Sequence, residues 1–226
     1  MSDPDLMLED CKQVKPIDVS AGLPRHPTKV YSTRNISDLR RVVVHTTDWN
    51  VEPIELAEYD IEPNHISDTG CPAITYHEMV MPDGTVYHTL PFEEVAWHVG
   101  IWNAGSLGIA LSYRCSNSMG QDQHAPTEKA IKALQCRIGD ICLALGIQPT
   151  EVYGHRELKG TGWFWFKGSK RLRKTCPGMS VDLDQLRHNV ALYCQVILRI
   201  KGYYLGKLDA DWGPKSRAAL KEYLER

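Results

Sequence analysis

Apolar and polar residues follow patterns along the chain that predict several short β-strands. The β-branched run RVVVHTT at 41–47 is typical of a buried strand, and SLGIALSY at 106–113 predicts another. The segments 73–81 and 86–90 flank the turn Pro-Asp-Gly-Thr, so they predict a β-hairpin. A last short strand is expected at 150–155.

Helical spacing of apolar residues separates these strands. A helix is expected to start at Pro53 and cover 53–61, because proline suits the first helical turn. A longer helix is expected between the N-cap Thr127 and the stop Gly146, with apolar residues at 131, 134, 138, 141, 142 and 145. Two more are predicted at 181–201 and 214–224.

Strands and helices therefore alternate, which predicts a layered α/β fold. Residues 1–37 carry four prolines and little periodicity, so they are expected to form an irregular N-terminal arm. Residues 38–185 would form the main domain. A shift in composition after it predicts a small helical C-terminal appendage at 186–226.

Composition and charge narrow the functional classes. The 226 residues are 42% hydrophobic and 24% charged with a formal net charge of −2, so a folded core is expected and nucleic acid is not an expected partner. The start MSDPDLMLED lacks the pattern of a secretory signal, and no apolar run approaches the ~18 residues of a membrane span. We therefore expect a protein that is cytoplasmic at synthesis, without membrane insertion.

The chain has seven cysteines in no disulfide-like spacing. In a reducing compartment six of them are most simply small buried hydrophobic residues: Cys11, Cys71, Cys115, Cys136, Cys142 and Cys194. Cys176 differs, because it stands between a basic run and a Pro-Gly turn.

Three residues suit a metal. His45 closes a buried strand, where a polar side chain needs a reason, and His155 follows a short strand. With Cys176 they make a set of three protein ligands that leaves a position for water, the layout of a catalytic zinc. Separations of 110 and 21 residues do not prove the set.

Lys174 and Tyr76 have positions that suit a catalytic role. In an extended segment Lys174 would face the same side as Cys176 and could stabilise an oxyanion, unless it belongs only to a solvated basic loop. By the same alternation Tyr76 and His77 should point to opposite sides, so one can enter the site while the other packs.

Five segments in order resemble a known family: VVVHTTD, ITYHEMVMPDGTVYH, AWHVGIWNAGSLGIAL, YGHREL and KTCPG. Together they are similar to the zinc-dependent N-acetylmuramoyl-L-alanine amidases of the amidase-2 family, whose fold is shared by peptidoglycan recognition proteins and phage lysozyme-amidases. The resemblance makes 38–185 a zinc amidase domain with a central mixed β-sheet flanked by helices. It also implies cleavage of the amide between N-acetylmuramic acid and L-alanine.

The resemblance also implies residue roles. Zn²⁺ would be held by His45, His155 and Cys176. Tyr76 and Lys174 would be catalytic, flanking the water and the scissile carbonyl. The same comparison places His98 and Asn103 in a substrate-binding groove, with packing of their loop as the alternative.

The sequence departs from some relatives at the strand SLGIAL, where Ala110 replaces a glutamate. Glu157 could instead orient a metal ligand or serve as a base, although an ion pair with a loop arginine is the simpler expectation. The tail resembles part of a peptidoglycan-binding helical repeat, and it could bind glycan weakly or only cap the domain. Its matches are Gly202, Tyr203, Gly206, Asp209, Gly213, Ala219 and Leu220.

The predicted protein is therefore a monomeric peptidoglycan amidase that reaches the cell wall or periplasm after release or delivery. A phage-type endolysin or a bacterial wall-lytic enzyme would fit. Two alternatives stay open: a peptidoglycan-binding module without activity, and an antibacterial amidase toxin delivered into a rival cell.

Overall fold

A mixed six-stranded β-sheet forms the centre of the protein. The structure is a computed structural model that describes residues 14–115, 124–158 and 175–226, with the backbone of 163–166 and 169–173. The sheet order is β1-β4-β3-β5-β2-β6. Its strands are β1 (Ile17–Asp18), β2 (Arg41–Thr46), β3 (Glu78–Val80), β4 (Val86–His88), β5 (Ser106–Leu111) and β6 (Val152–Gly154).

Within the residues that the structure describes, four α-helices accompany the sheet, and all four were predicted: α1 (Pro53–Ile61), α2 (Glu128–Leu145), α3 (Leu183–Ile200) and α4 (Pro214–Leu224). The predicted caps of α2 are confirmed. The hydroxyl of Thr127 accepts a hydrogen bond from the backbone N–H of Ala130 at 3.1 Å, and Gly146 has a left-handed backbone with φ of 70°.

The alternation of β2 assigns its side chains to two different layers. Val42 and Val44 pack into the core that includes α2 and α3. Val43 belongs to a separate cluster, and His45 shares its face because successive strand residues point to opposite sides. This second face also carries Ala110, which packs with residues of α1. The α/β prediction is confirmed, and His45 lies on the face of the sheet opposite to the one that carries Val42 and Val44.

Three elements differ from the predictions. The predicted hairpin is present, but its strands β3 and β4 have only three residues each. The arm contributes β1, which pairs in parallel with the outer side of β4. The basic and aromatic stretch after His155 contains an unpredicted antiparallel pair, β7 (Trp163–Phe166) and β8 (Ser169–Arg173).

The C-terminal appendage packs on the main core. Trp212 and Leu220 are buried in the same cluster as Leu134 of α2 and Leu198 of α3. The Gln195 side chain on α3 binds the turn before α4, accepting from the N–H groups of Asp209 and Ala210 at 3.1 and 2.9 Å. The boundary at residue 186 stays a prediction.

In the described ranges, four cysteines are buried and form no disulfide, as predicted: Cys71, Cys115, Cys142 and Cys194. Cys136 is disulfide-bonded, so the expectation of a simple buried thiol is wrong for that residue. Cys11 lies outside the described residues. Among the helices of the described ranges, none is both long and apolar enough to cross a bilayer.

Candidate metal centre

Two neighbouring parallel strands bring two histidines together at one edge of the sheet. His45 is the penultimate residue of β2, and His155 directly follows β6. Because parallel strands end at the same edge, the two imidazoles meet there, with ring centroids 4.7 Å apart. Both side chains are buried, with residue exposures of 1% and 8%. A polar pair at such depth needs a compensating partner.

Cys176 reaches the same point from a loop. Its Sγ lies 3.7 Å from Nδ1 of His45. The ligand atoms of His45, His155 and Cys176 all lie within 4.8 Å of one another. The sequence only suggested this set, because its first and last members are more than a hundred positions apart. The structure brings all three residues together.

The donor set fits a zinc ion. Imidazole nitrogen and thiolate sulfur are ordinary zinc ligands, and two of them on one tetrahedral ion stand about 3.5 Å apart, given Zn–N and Zn–S bonds of roughly 2.0 and 2.3 Å. The separation of 3.7 Å between Cys176 Sγ and His45 Nδ1 agrees with that expectation. Three protein ligands would leave one position for water, as in catalytic zinc sites.

Arg156 joins the loop of Cys176 to the end of β6. Its backbone N–H donates to the carbonyl oxygen of Cys176 at 2.8 Å. Its guanidinium donates to the carbonyl oxygens of Thr175, Gly178 and Val181, the last at 2.8 Å. One side chain thus satisfies carbonyl groups on both sides of Cys176.

Tyr76 lies beside His45, with ring centroids 5.0 Å apart. Burial, and secondarily the charge of a Cys176 thiolate, raise the pKa of Tyr76 well above its usual value. The hydroxyl therefore stays protonated at neutral pH and can donate a hydrogen bond.

His77 points the other way, as the predicted alternation requires. Its Nδ1 accepts from the N–H of Gly108 at 3.0 Å, and its Nε2 lies 3.0 Å from the carbonyl oxygen of Glu94. Burial, assisted by the nearby Arg34 charge, lowers the pKa of His77 to about 3. The ring is therefore neutral, and its Nε2 also lies 2.7 Å from a guanidinium nitrogen of Arg34.

His98 and Asn103 both lie at the base of the site. Nδ1 of His98 is 2.9 Å from Nε2 of His45, and the Asn103 side-chain oxygen accepts from the N–H groups of His98 and Val99 at 3.2 and 2.7 Å. Burial lowers the pKa of His98 well below its usual value. The structure gives both side chains protein partners, and their substrate-binding roles stay predictions.

Three further sequence expectations concern the surroundings of the site. Lys174 and the side chains of the β7–β8 pair lie outside the described residues. Glu157 forms the expected ion pair, but with Arg187 of α3, at 2.9 Å. Ala110 is the β5 neighbour of His45, so no carboxylate occupies that position.

Sequence reasoning missed two residues that build the site, Arg156 and Gly108. A Cβ on Gly108 would lie 2.8 Å from Nδ1 of His98, closer than packing allows. The available signal was a glycine inside the strand SLGIAL, which often marks a close approach. For Arg156 the only signal was its place after His155.

Comparison with known proteins identifies the family. Residues 35–179 match the sequence profile of the amidase-2 family, described as N-acetylmuramoyl-L-alanine amidase. The chain belongs to this family. No curated protein matches it closely. The matched range includes both histidines and the cysteine of the candidate site.

Solved structures show the same fold at low identity. LysC, an N-acetylmuramoyl-L-alanine amidase from Clostridium intestinale URNW, is 19% identical with a TM-score of 0.55, covering 76% of this chain and 95% of its own. Bumblebee PGRP-SA has the same identity, TM-score and coverage. Peptidoglycan recognition protein-LE, solved with tracheal cytotoxin, is 18% identical with a TM-score of 0.53, covering 76% and 92%. The fold is therefore common to amidases and recognition proteins.

Proposed function

We propose that the protein is a zinc-dependent peptidoglycan amidase that hydrolyses the amide between N-acetylmuramic acid and the L-alanine of the stem peptide. The observation that carries this proposal is the convergence of His45, His155 and Cys176 within 4.8 Å. Membership of the amidase family supports the reaction class. A phage-type endolysin or a bacterial wall-lytic enzyme is the proposed setting, with action on the wall after release or delivery.

In this proposal His45, His155 and Cys176 hold Zn²⁺. A zinc ion so held lowers the pKa of a bound water to about 7 and polarises a carbonyl. His45 and His155 are buried, so solvent screens charges at this point less, which strengthens electrostatic interactions with the scissile amide.

Tyr76 and Lys174 carry the remaining chemistry. Tyr76 is protonated, so its hydroxyl can orient the attacking water or donate to the substrate. The Lys174 ammonium, two residues before Cys176, would stabilise negative charge on the carbonyl oxygen. Ala110 stands where some relatives have a glutamate. Tyr76 and Lys174 would therefore carry the proton transfers without a carboxylic acid on β5.

A peptidoglycan-binding module is the second candidate function, because the fold is shared with recognition proteins. The complete set of zinc donors favours the amidase over the module. Both functions involve the same proposed partner, peptidoglycan.

The test is digestion of purified sacculi with mass spectrometry of the released fragments. The amidase should release stem peptides that start with L-alanine, and a chelator should abolish the release until zinc is restored. Cys176→Ala should be inactive, while Cys194→Ala, at a buried cysteine of α3 that contacts Gly139 of α2, should stay active. Intact sacculi that retain the protein would support the binding module instead.

A further inference from the structure

The two ring nitrogens of His45 have different partners. Nδ1 faces Sγ of Cys176 at 3.7 Å, and Nε2 faces Nδ1 of His98 at 2.9 Å. The second distance is that of a normal hydrogen bond. Both residues are buried, with exposures of 1% and 7%, so water competes little for this contact.

The direction of this hydrogen bond follows from the ligand role proposed for His45. A nitrogen that binds a metal carries no proton, so Nε2 of His45 must carry it and donate. Nδ1 of His98 is then the acceptor, and the His98 proton lies on Nε2. The Ser106 backbone comes close to that ring, but no acceptor in the described ranges meets Nε2 of His98 with hydrogen-bond geometry. Among the described residues, His45 is therefore the one side chain that forms a hydrogen bond with the His98 ring.

The sheet is shaped to admit the His98 ring. Gly108 on β5 is the register partner of Val43, two residues before His45, so Gly108 lies beside the base of His45 on the same face. A Cβ there would lie 2.8 Å from Nδ1 and 2.9 Å from Cγ of His98. The missing side chain of Gly108 thus provides the space in which His98 reaches His45.

We propose that His98 is a positioning residue for the metal centre. It holds His45 as the Nε2–H tautomer and fixes the orientation of its ring, so that Nδ1 points at Cys176 and the ion. Partners of this kind orient metal-binding histidines in many proteins, usually through a carboxylate or a carbonyl. Here an imidazole takes that place. The inference rests on the proposed zinc site and replaces the substrate-binding role of His98.

The test compares His98→Ala with His98→Gln, whose side-chain oxygen can still accept a hydrogen bond. Zinc affinity is measured by competition with a chromophoric chelator, and the Co²⁺-substituted proteins are compared by their visible d–d bands. His98→Ala should bind zinc about 10- to 100-fold more weakly, the usual cost of losing a residue that is hydrogen-bonded to a metal ligand. It should also shift the cobalt bands and lower kcat more than it raises KM. His98→Gln should recover most of each change.

Two further variants control for loss of folding and for effects of substitution that are unrelated to the site. Gly108→Ala should displace the ring without removing it and weaken zinc binding in the same direction. His188→Ala, at an exposed position on α3, should match the parent in every measurement. If His98→Ala does not fold, the zinc affinities and cobalt bands of His98→Gln and Gly108→Ala test the positioning role.

The outcomes separate this inference from the proposed function. Unchanged zinc affinity and cobalt bands in His98→Ala, with only KM raised, would overturn the positioning role and restore the substrate contact. A parent that binds zinc but leaves sacculi intact would remove the amidase, while the affinity and cobalt measurements still decide the role of His98. A parent without stoichiometric zinc would overturn both.

Discussion

The two sides of the metal centre are built differently. On the sheet side, β2 lies between β5 and β6, so the strand that carries His45 is hydrogen-bonded on both edges. On the loop side, Cys176 belongs to no helix or strand and is only partly buried. Its position depends on the carbonyl contacts of Arg156 and on the turn at Gly178.

The two sides therefore differ in the number of contacts that hold the metal ligand in position. Many main-chain hydrogen bonds, each contributing about 1 kcal/mol, share the positioning of His45. Fewer contacts position Cys176: main-chain hydrogen bonds at Cys176 and Thr175, and the guanidinium of Arg156. Away from the ligands themselves and from the contact of His98 over Gly108, single substitutions should therefore disturb zinc binding more on the loop side than on the sheet side.

Removal of a ligand should have the largest effect, and it should be equal on the two sides. His45→Ala and Cys176→Ala should each weaken zinc binding by more than the ~100-fold expected for an outer-shell change, and abolish amidase activity. Metal content after dialysis, measured by mass spectrometry, checks the binding. Stoichiometric zinc in Cys176→Ala would show that the third ligand lies elsewhere.

Lys174 tests whether the loop side supplies chemistry as well as a ligand. Lys174→Ala should keep its zinc and lose about 100- to 1000-fold in kcat, the usual effect of removing an oxyanion donor. Steady-state kinetics on a soluble muropeptide, together with metal content, provide the measurement. Lys201→Ala is the control, at the end of α3. Unchanged turnover would remove the oxyanion role.

Gly178 is the most vulnerable point of the loop. It has φ of 108°, and a Cβ would lie 2.2 Å from the Tyr113 hydroxyl. Gly178→Ala should lose about 1–3 kcal/mol through overpacking, beyond the cost of its backbone conformation, and should weaken zinc binding.

Gly202→Ala is the matched control for Gly178→Ala. Gly202 also has positive φ, 84°, but nothing lies within 4 Å of its Cβ position. This variant should show only the backbone cost of about 1–2 kcal/mol, with normal zinc affinity. Chemical unfolding and chelator competition separate the two effects, and equal zinc affinities in both variants would contradict the loop's proposed sensitivity.

Arg156 should have a smaller effect of the same kind. Arg156→Ala removes the guanidinium donor of the Val181 carbonyl and one of two donors from the carbonyls of Thr175 and Gly178, which should cost about 1–3 kcal/mol and weaken zinc binding. Arg187→Ala is the sheet-side counterpart, because Arg187 donates to the carbonyl oxygen of Val152 in β6 at 3.1 Å and pairs with Glu157. It should reduce stability with little change in zinc affinity. A lower zinc affinity in Arg187→Ala than in Arg156→Ala would contradict the proposed difference between the two sides.

The elements predicted best are those whose sequence signals are local. The valines of β2 are typical of a buried strand, and Thr127 and Gly146 mark the ends of α2. The β7–β8 pair was missed because its aromatic and basic runs lack a clear alternation, although Lys167-Gly168 between them is compatible with a hairpin turn.

Prediction of the site depended on more than local pattern. Spacing did not prove that His45, His155 and Cys176 meet; the family resemblance proposed it, and the shared edge of β2 and β6 explains two of the three. The contact of His45 with His98 could not be predicted, because it arises from β5 lying beside β2 with a glycine at the register position. Only the folded sheet creates that proximity.

Apart from the contact of His98 with His45, the sheet side should be most sensitive to low pH. His77 supports Gly108, and its pKa is lowered to about 3, mainly by burial, from an ordinary value of 6.5. Below pH 6.5 the unfolded chain binds a proton that the native state refuses. The stability contributed by neutral His77 is therefore complete above pH 6.5 and is lost progressively as the pH falls towards 3.

Replacing His77 with glutamine isolates this contribution. His77→Gln should be less stable than the parent at pH 7, because the buried contacts of the imidazole are lost. Between pH 6 and 4, however, its free energy of unfolding should fall less steeply, by up to about 1.4 kcal/mol per pH unit. Urea unfolding across this range gives both slopes. Parallel slopes would mean that His77 takes up its proton as easily in the fold as outside it, and the acid sensitivity of the sheet side would then have to come from the other buried histidines, His98 first among them.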